Sequence, residues 1–251
     1  MLTGFRGIFF ANWMTWWYAV IESRHELQNP TSPEKILALG RELRLDAVSH
    51  VLDIAGGRGG PASLLTGEFG CRITSVERAP EFAAAARERG NRLVDVVECD
   101  AKDFDIEPAG FDAAICLGAS FAFDGLVPTV QALVAAVPPR GRIAVGEPYW
   151  RVWPLPEAFA PDEYEGFLPL AQTVERFEQG GAELVSLIDS SLDDWDRHAS
   201  LRWSTLDEWL AANPDDPQAD EFRERGRLYR DRYLRWTREL LGWAIFVGRV
   251  R

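Results

Sequence analysis

Three acids sit in or just past apolar runs that read as strands. Asp53 lies inside SHVLDIAGGRGG (residues 49–60), Glu77 closes CRITSVE (71–77) and Asp100 follows LVDVVEC (93–99). The first run breaks into Gly56, Gly57, Gly59 and Gly60 just before a helix-like PASLLTGEFG. Glycines at such a turn permit positive φ and leave no Cβ in the way, so a ligand can lie against the backbone. Amides left unpaired at the helix start then face that ligand. A strand, a tight turn and a helix start make the first turn of a doubly wound α/β nucleotide-binding fold, whose ligands sit at the carboxyl ends of the strands. A carboxylate at the end of the second strand can accept hydrogen bonds from both ribose hydroxyls. Asp53, inside the first strand, would repel a pyrophosphate and suit a cationic group.

Two ligand classes fit the turn. Read as Gly57-x-Gly59-x-x-Ala62, with Glu77 20 residues beyond Gly57, it satisfies the dinucleotide fingerprint of an NAD-type oxidoreductase. Read as Asp53-x-Ala55-x-Gly57-x-Gly59, it resembles motif I of the class I S-adenosylmethionine (SAM)-dependent methyltransferases. Later segments continue that resemblance: Asp112 opening the fourth strand, Leu117-Gly118-Ala119-Ser120 after it, and Pro-Pro-Arg-Gly before the fifth strand in place of the family's Leu-Lys-Pro-Gly-Gly turn. It narrows at Gly146–Arg151 (GEPYWR) to an uncharacterised bacterial subgroup that also shares Ser23, His25, Asn29 and Pro30, a Trp-Asp-Arg at 195–197, WLAANPDD at 209–216 and LGW at 241–243. The similarity runs from about residue 20 to 250. Two departures stand where the family has glycine, at Ala55 and Arg140.

The resemblance implies SAM as cofactor, with S-adenosylhomocysteine (SAH) as product, held by Asp53, Gly56, Gly57, Gly59, Glu77, Arg78, Asp100, Ala101, Leu117, Gly118 and Ala119. Asp100 and the Ala101 amide would read the adenine edge, and residues 117–120 would lie beneath the sulfonium. The implied fold is a doubly wound α/β sheet of seven mostly parallel strands with an antiparallel last strand, and helices on both faces. The expected organisation is a single domain over 1–251. Residues 1–45 form amino-terminal cap helices, 46–150 the cofactor-binding core, 151–170 and 190–240 the substrate cap, and 241–251 the last strand. The aromatic, nearly uncharged residues 1–21 carry only Arg6 and read as a cap helix, too interrupted for a membrane span and without a signal-peptide cleavage site.

Composition narrows the acceptor. With 39 acids against 27 Lys plus Arg, the net charge of −12 opposes binding to a phosphate backbone. Cys71, Cys99 and Cys116 are scattered and odd in number, which predicts buried thiols in a reducing cytoplasm and no metal site. The expected partner is a small, partly apolar methyl acceptor, and dimerisation through the amino-terminal aromatics is a further expectation.

Methyl transfer is an in-line displacement in which alignment and exclusion of water do most of the work. A base is needed only for a protonated nucleophile. His25 and His198 are the imidazoles in reach, and Glu147 and Tyr149 follow the fifth strand where they can position or deprotonate an acceptor. Trp195, Trp203 and Trp209, at near-helical spacing, read as packing residues of the cap. A SAM-binding protein without transfer activity is the third reading.

Overall fold

The computed structural model describes residues 17–160 and 166–251. Most of the aromatic amino-terminal segment, and with it the expected cap helix and dimer contact, lies outside these residues; 17–21 are helical. After Pro30, Ser32 caps the helix α1 (Pro33–Glu42), its side chain accepting from the Lys35 amide. The chain then alternates β1 (His50–Ile54), α2 (Gly60–Phe69), β2 (Arg72–Glu77), α3 (Pro80–Arg89), β3 (Val94–Glu98), β4 (Ala113–Leu117), α4 (Leu126–Ala136), β5 (Arg142–Trp150), α5 (Leu170–Gln179) and β6 (Ala182–Asp189). Two long helices, α6 (Leu192–Ala212) and α7 (Ala219–Arg232), precede β7 (Leu241–Val250).

The seven strands form one sheet in the order β3-β2-β1-β4-β5-β7-β6. Strands β1 to β5 pair in parallel, while β7 is antiparallel to both β5 and β6. Period-two alternation builds the two cores. Leu52, Ile54, Ala114 and Cys116 point to the face covered by α4 and α5 through Val130, Leu133 and Phe177. Val51, Ala113 and Ile115 point to the face covered by α1 and α2 through Ile36, Leu39 and Leu65. The chain runs outward from β1 to β3 and then returns to β4, so the strand order reverses between β1 and β4, which is where a doubly wound sheet opens a crevice.

The two departures from the glycine pattern explain themselves here. Ala55 has φ +55° and Arg140 φ +68°, both left-handed. A side chain there costs about 1–2 kcal/mol, which the surrounding fold supports. Ala55→Gly should therefore stabilise the chain by about 0.5–1 kcal/mol, the strain relieved less the entropy cost of glycine. That corresponds to roughly 1–4 °C in a thermal melt of a chain this size. A lowered melting temperature would show that the Ala55 methyl packs more favourably than its backbone is strained.

Candidate active site

A cavity of about 770 Å³ opens at the strand tips and continues under the helical cap. Its floor at one end is the first turn. Gly57, at φ +57°, donates its amide to Glu77 Oε2 at 2.9 Å, and the Ala79 amide donates to Glu77 Oε1 at 2.8 Å. One carboxylate thus fixes two turns, and each of its oxygens keeps a second lone pair for a ligand diol. The rest of the turn is also satisfied internally: Gly56 N donates to Val76 O at 3.2 Å, Arg58 N to Gln28 Oε1 at 2.8 Å and Gly59 N to Gly56 O at 3.1 Å. The four consecutive amides from Gly56 to Gly59 are thus already paired, and neither Gly60 nor Ala62 at the helix start lines the cavity. A pyrophosphate would meet a carboxylate where it needs donors, whereas a nucleoside with a diol fits.

Glu77, Arg78, Asp100, Ala101, Leu117, Gly118, Ala119 and Gly57 all line this cavity. Asp100 accepts from the Lys102 amide at 3.0 Å and lies 3.8 Å from Arg78, whose guanidinium stands 5.9 Å from the Phe121 ring centroid. Gly56, Gly59 and Asp53 are not on the wall. Asp53 is buried beneath Gly56, where an added Cβ would come within 2.7 Å of its carboxylate, and it accepts from Ser75 Oγ at 3.3 Å. Burial, opposed by the Ser75 bond and aided by the charge of Glu77, raises its pKa to about 7.

Residues 22–30 form a strap across the tips. Gln28 reaches the Arg58 amide, and Asn29 Nδ2 donates to Leu117 O at 2.9 Å. Ser190 Oγ donates to Pro30 O. The backbone of Glu26 passes so close to Gly60 that a Cβ there would lie 1.8 Å from its carbonyl oxygen, so only glycine admits the strap. Glu22 pairs with Arg202 on α6 and accepts from Gln28 Nε2 at 3.0 Å. Glu22, Gln28 and Arg202 all line the cavity, and no motif marked them.

Of the four residues considered as bases, His198 lines the cavity and the other three do not. His198 is held well below its usual pKa, first by burial and then by Arg202 and His25. His25 packs edge-on to it, ring centroids 4.8 Å apart, with Nε2 3.1 Å from the His198 carbonyl oxygen. That bond assigns the proton to His25 Nε2. Glu147 accepts from Ser120 Oγ at 3.0 Å, and burial raises its pKa to about 7. Tyr149 turns away, its hydroxyl donating to Asp189 at 2.8 Å.

The cap completes the wall. Trp195 and Trp203 contribute to the lining, whereas Trp209 packs on Phe222 with ring centroids 5.0 Å apart. The Trp-Asp-Arg segment divides its work: Trp195 faces the cavity, Arg197 pairs with Asp194, and Asp196 accepts from Tyr233 at 2.7 Å and from Arg238 at 2.9 Å. A π-helical stretch, Tyr233–Thr237, follows α7 and puts both of its end residues on the cavity wall.

Comparison with known proteins identifies the family. Residues 51–141 match a family described as a methyltransferase domain. The uncharacterised protein YjhP of Escherichia coli is 31% identical, the match covering 91% of this chain and 96% of YjhP. A SAM-dependent methyltransferase from Thiobacillus denitrificans, crystallised with SAH, superposes with a TM-score of 0.86 at 32% identity, covering 93% of this chain and 98% of that one. One from Geobacter sulfurreducens, also with SAH, gives 0.85 at 31%, covering 94% and 98%.

The raised carboxyls fix a pH dependence. Asp53 and Glu147 titrate near 7 when folded and near 4 when unfolded, so between those values the folded chain holds more protons. Stability then falls as pH rises from about 4 to 7, by up to ~1.4 kcal/mol per pH unit for each group. The lowered histidines act the other way, costing stability as pH falls through about 6.5, equally in wild type and in variants elsewhere. Urea midpoints of Asp53→Asn should therefore decline less from pH 5 to 8 than those of wild type. Parallel curves would place the Asp53 titration outside that window.

Proposed function

From the premise that the chain belongs to the SAM-dependent methyltransferase family, with SAM as its cofactor, we propose that it methylates a small molecule held between the strand tips and the helical cap. The observation that carries this reading is the single cavity: the wall bearing Glu77, Asp100 and Gly118 is continuous with the aromatic wall of α6 and the π stretch. SAM supplies a methyl group already activated by its sulfonium charge. The chain's task is then to orient the acceptor and exclude water, which an aromatic cap with a strap across the turns is suited to do.

In this proposal Glu77 takes the ribose hydroxyls, Asp100 and Ala101 take the adenine edge, and Leu117, Gly118 and Ala119 form the floor under the sulfonium. Gly56, Gly59 and Asp53 support the turn from behind. His198 is the group facing the acceptor; His25 orients it, and Glu147 and Tyr149 brace the end of β5. The domain layout is that of a 46–150 core, caps at 1–45, 151–170 and 190–240, and a closing strand at 241–251. The GEPYW subgroup remains the assignment favoured by residues 146–150. A cytoplasmic location and the exclusion of nucleic acid follow from the thiols and the charge of −12. Among the described residues no helix is long and apolar enough to cross a membrane.

Calorimetric titration with SAM and SAH tests the proposal. Glu77→Gln, which keeps a hydrogen-bond acceptor but loses the charge, should weaken SAH binding by about tenfold or more, since a hydrogen bond to a charged group is worth ~1.5–3 kcal/mol. Unchanged affinity in Glu77→Gln would place the ribose elsewhere.

A further inference from the structure

We infer that the acceptor is a neutral hydroxyaryl compound, a phenol or a fused-ring equivalent, methylated on oxygen with His198 receiving its proton. This deepens the methyl-transfer reading and rests on it. The first ground is shape. Helix α6 turns Trp195, His198 and Arg202 toward the cavity at helical spacing, and Tyr233 faces them, 5.7 Å from the Trp203 ring and 6.5 Å from that of Trp195. At these separations the rings pack against one another, and the one aromatic surface they form suits a flat aromatic guest lying on it.

Charge is the second ground. The charged groups on this part of the wall, Glu22 and Arg202, neutralise each other, and Glu22 also accepts from Gln28. Asp196 is spent on Tyr233 and Arg238. An ammonium or carboxylate acceptor entering here would lose its hydration without gaining a counter-ion, a cost that a neutral ring avoids. The third ground is the proton. A phenol titrates near 10, so its oxygen arrives protonated and needs a base to become a strong nucleophile. The unprotonated imidazole of His198 stands on the wall, with His25 against its ring. In the step, the aryl oxygen forms the new O–C bond as the S–C bond of SAM breaks. That bond's electron pair stays on sulfur, and the phenolic proton passes to His198.

Three naphthalene probes separate the classes: 2-naphthol, 2-naphthoate and 2-(aminomethyl)naphthalene, each titrated calorimetrically into the full chain with and without SAH. The naphthol should bind at least about tenfold tighter than either charged probe, and its methyl ether should appear by mass spectrometry when SAM is supplied. A charged probe binding as tightly, or no ether from a chain that binds SAM, overturns the substrate class. Failure of wild type to bind SAH overturns the methyl-transfer reading instead. His198→Gln should lower kcat on 2-naphthol about 100-fold or more, with the Kd values for naphthol and SAH held within threefold. The loss should shrink below tenfold for pentafluorophenol, which is already ionised at the assay pH. Equal losses on both phenols would make His198 a packing residue. In wild type, with His198 already unprotonated, kcat for naphthol should stay flat between pH 7 and 9, and a rise of about tenfold per pH unit, tracking the phenol's own ionisation, would overturn the base role without any variant.

Discussion

A single carboxylate holds the cofactor end of this molecule together. Glu77 accepts the Gly57 amide with one oxygen and the Ala79 amide with the other, tying the turn after β1 to the turn after β2. Hydrogen bonds to a charged acceptor are among the stronger ones a protein makes, and this pair has little freedom because Glu77 ends a strand in the sheet. Everything that follows depends on that placement. The Gly57 backbone is held at the floor of the cavity, Asp53 is sealed beneath Gly56, and the strap docks on that turn through Gln28.

The strap in turn joins parts of the chain that are remote in sequence. Glu22 and Arg202 are 180 residues apart, and His25 reaches the carbonyl of His198. A turn whose Gly56 to Gly59 amides are spent internally offers carboxylate oxygens and a bare backbone, which suit a diol-bearing nucleoside better than a pyrophosphate.

Much of this was legible in the residues themselves. Alternating apolar positions mark the strands, and acids at their ends mark the crevice, because period-two burial and strand-tip chemistry are local properties. Even the two departures were informative: Ala55 and Arg140 occupy left-handed positions where glycine is the ordinary choice. The partition of the acids was not legible. Asp53 and Glu77 lie on the same face of the sheet, yet one is buried behind the wall and the other lines the cavity, because Asp53 sits inside β1 under Gly56 whereas Glu77 is the last residue of β2. Tyr149, two residues beyond Glu147 on β5, likewise goes to Asp189. Nor did Glu22, Gln28 and Arg202 carry any signal, since their roles exist only once α6 lies over the strap. Of the segments singled out in the sequence, only Ser-x-His-x-x-x-Asn-Pro belongs to that contact, through His25 on the His198 carbonyl.

The wide turn at Tyr233–Thr237 has a consequence for how the cap can vary. An α-helix advances about 100° per residue, so one residue accommodated as a π-bulge resets the angular phase of everything beyond it. On one side of the bulge α7 packs Phe222 against Trp17; on the other, β7 is locked between β5 and β6. Neither flank can rotate to absorb a lost residue. Lineages that shorten this segment must therefore redraw the Tyr233 and Thr237 side of the chamber as a unit, whereas the sheet and its nucleoside cradle can stay as they are.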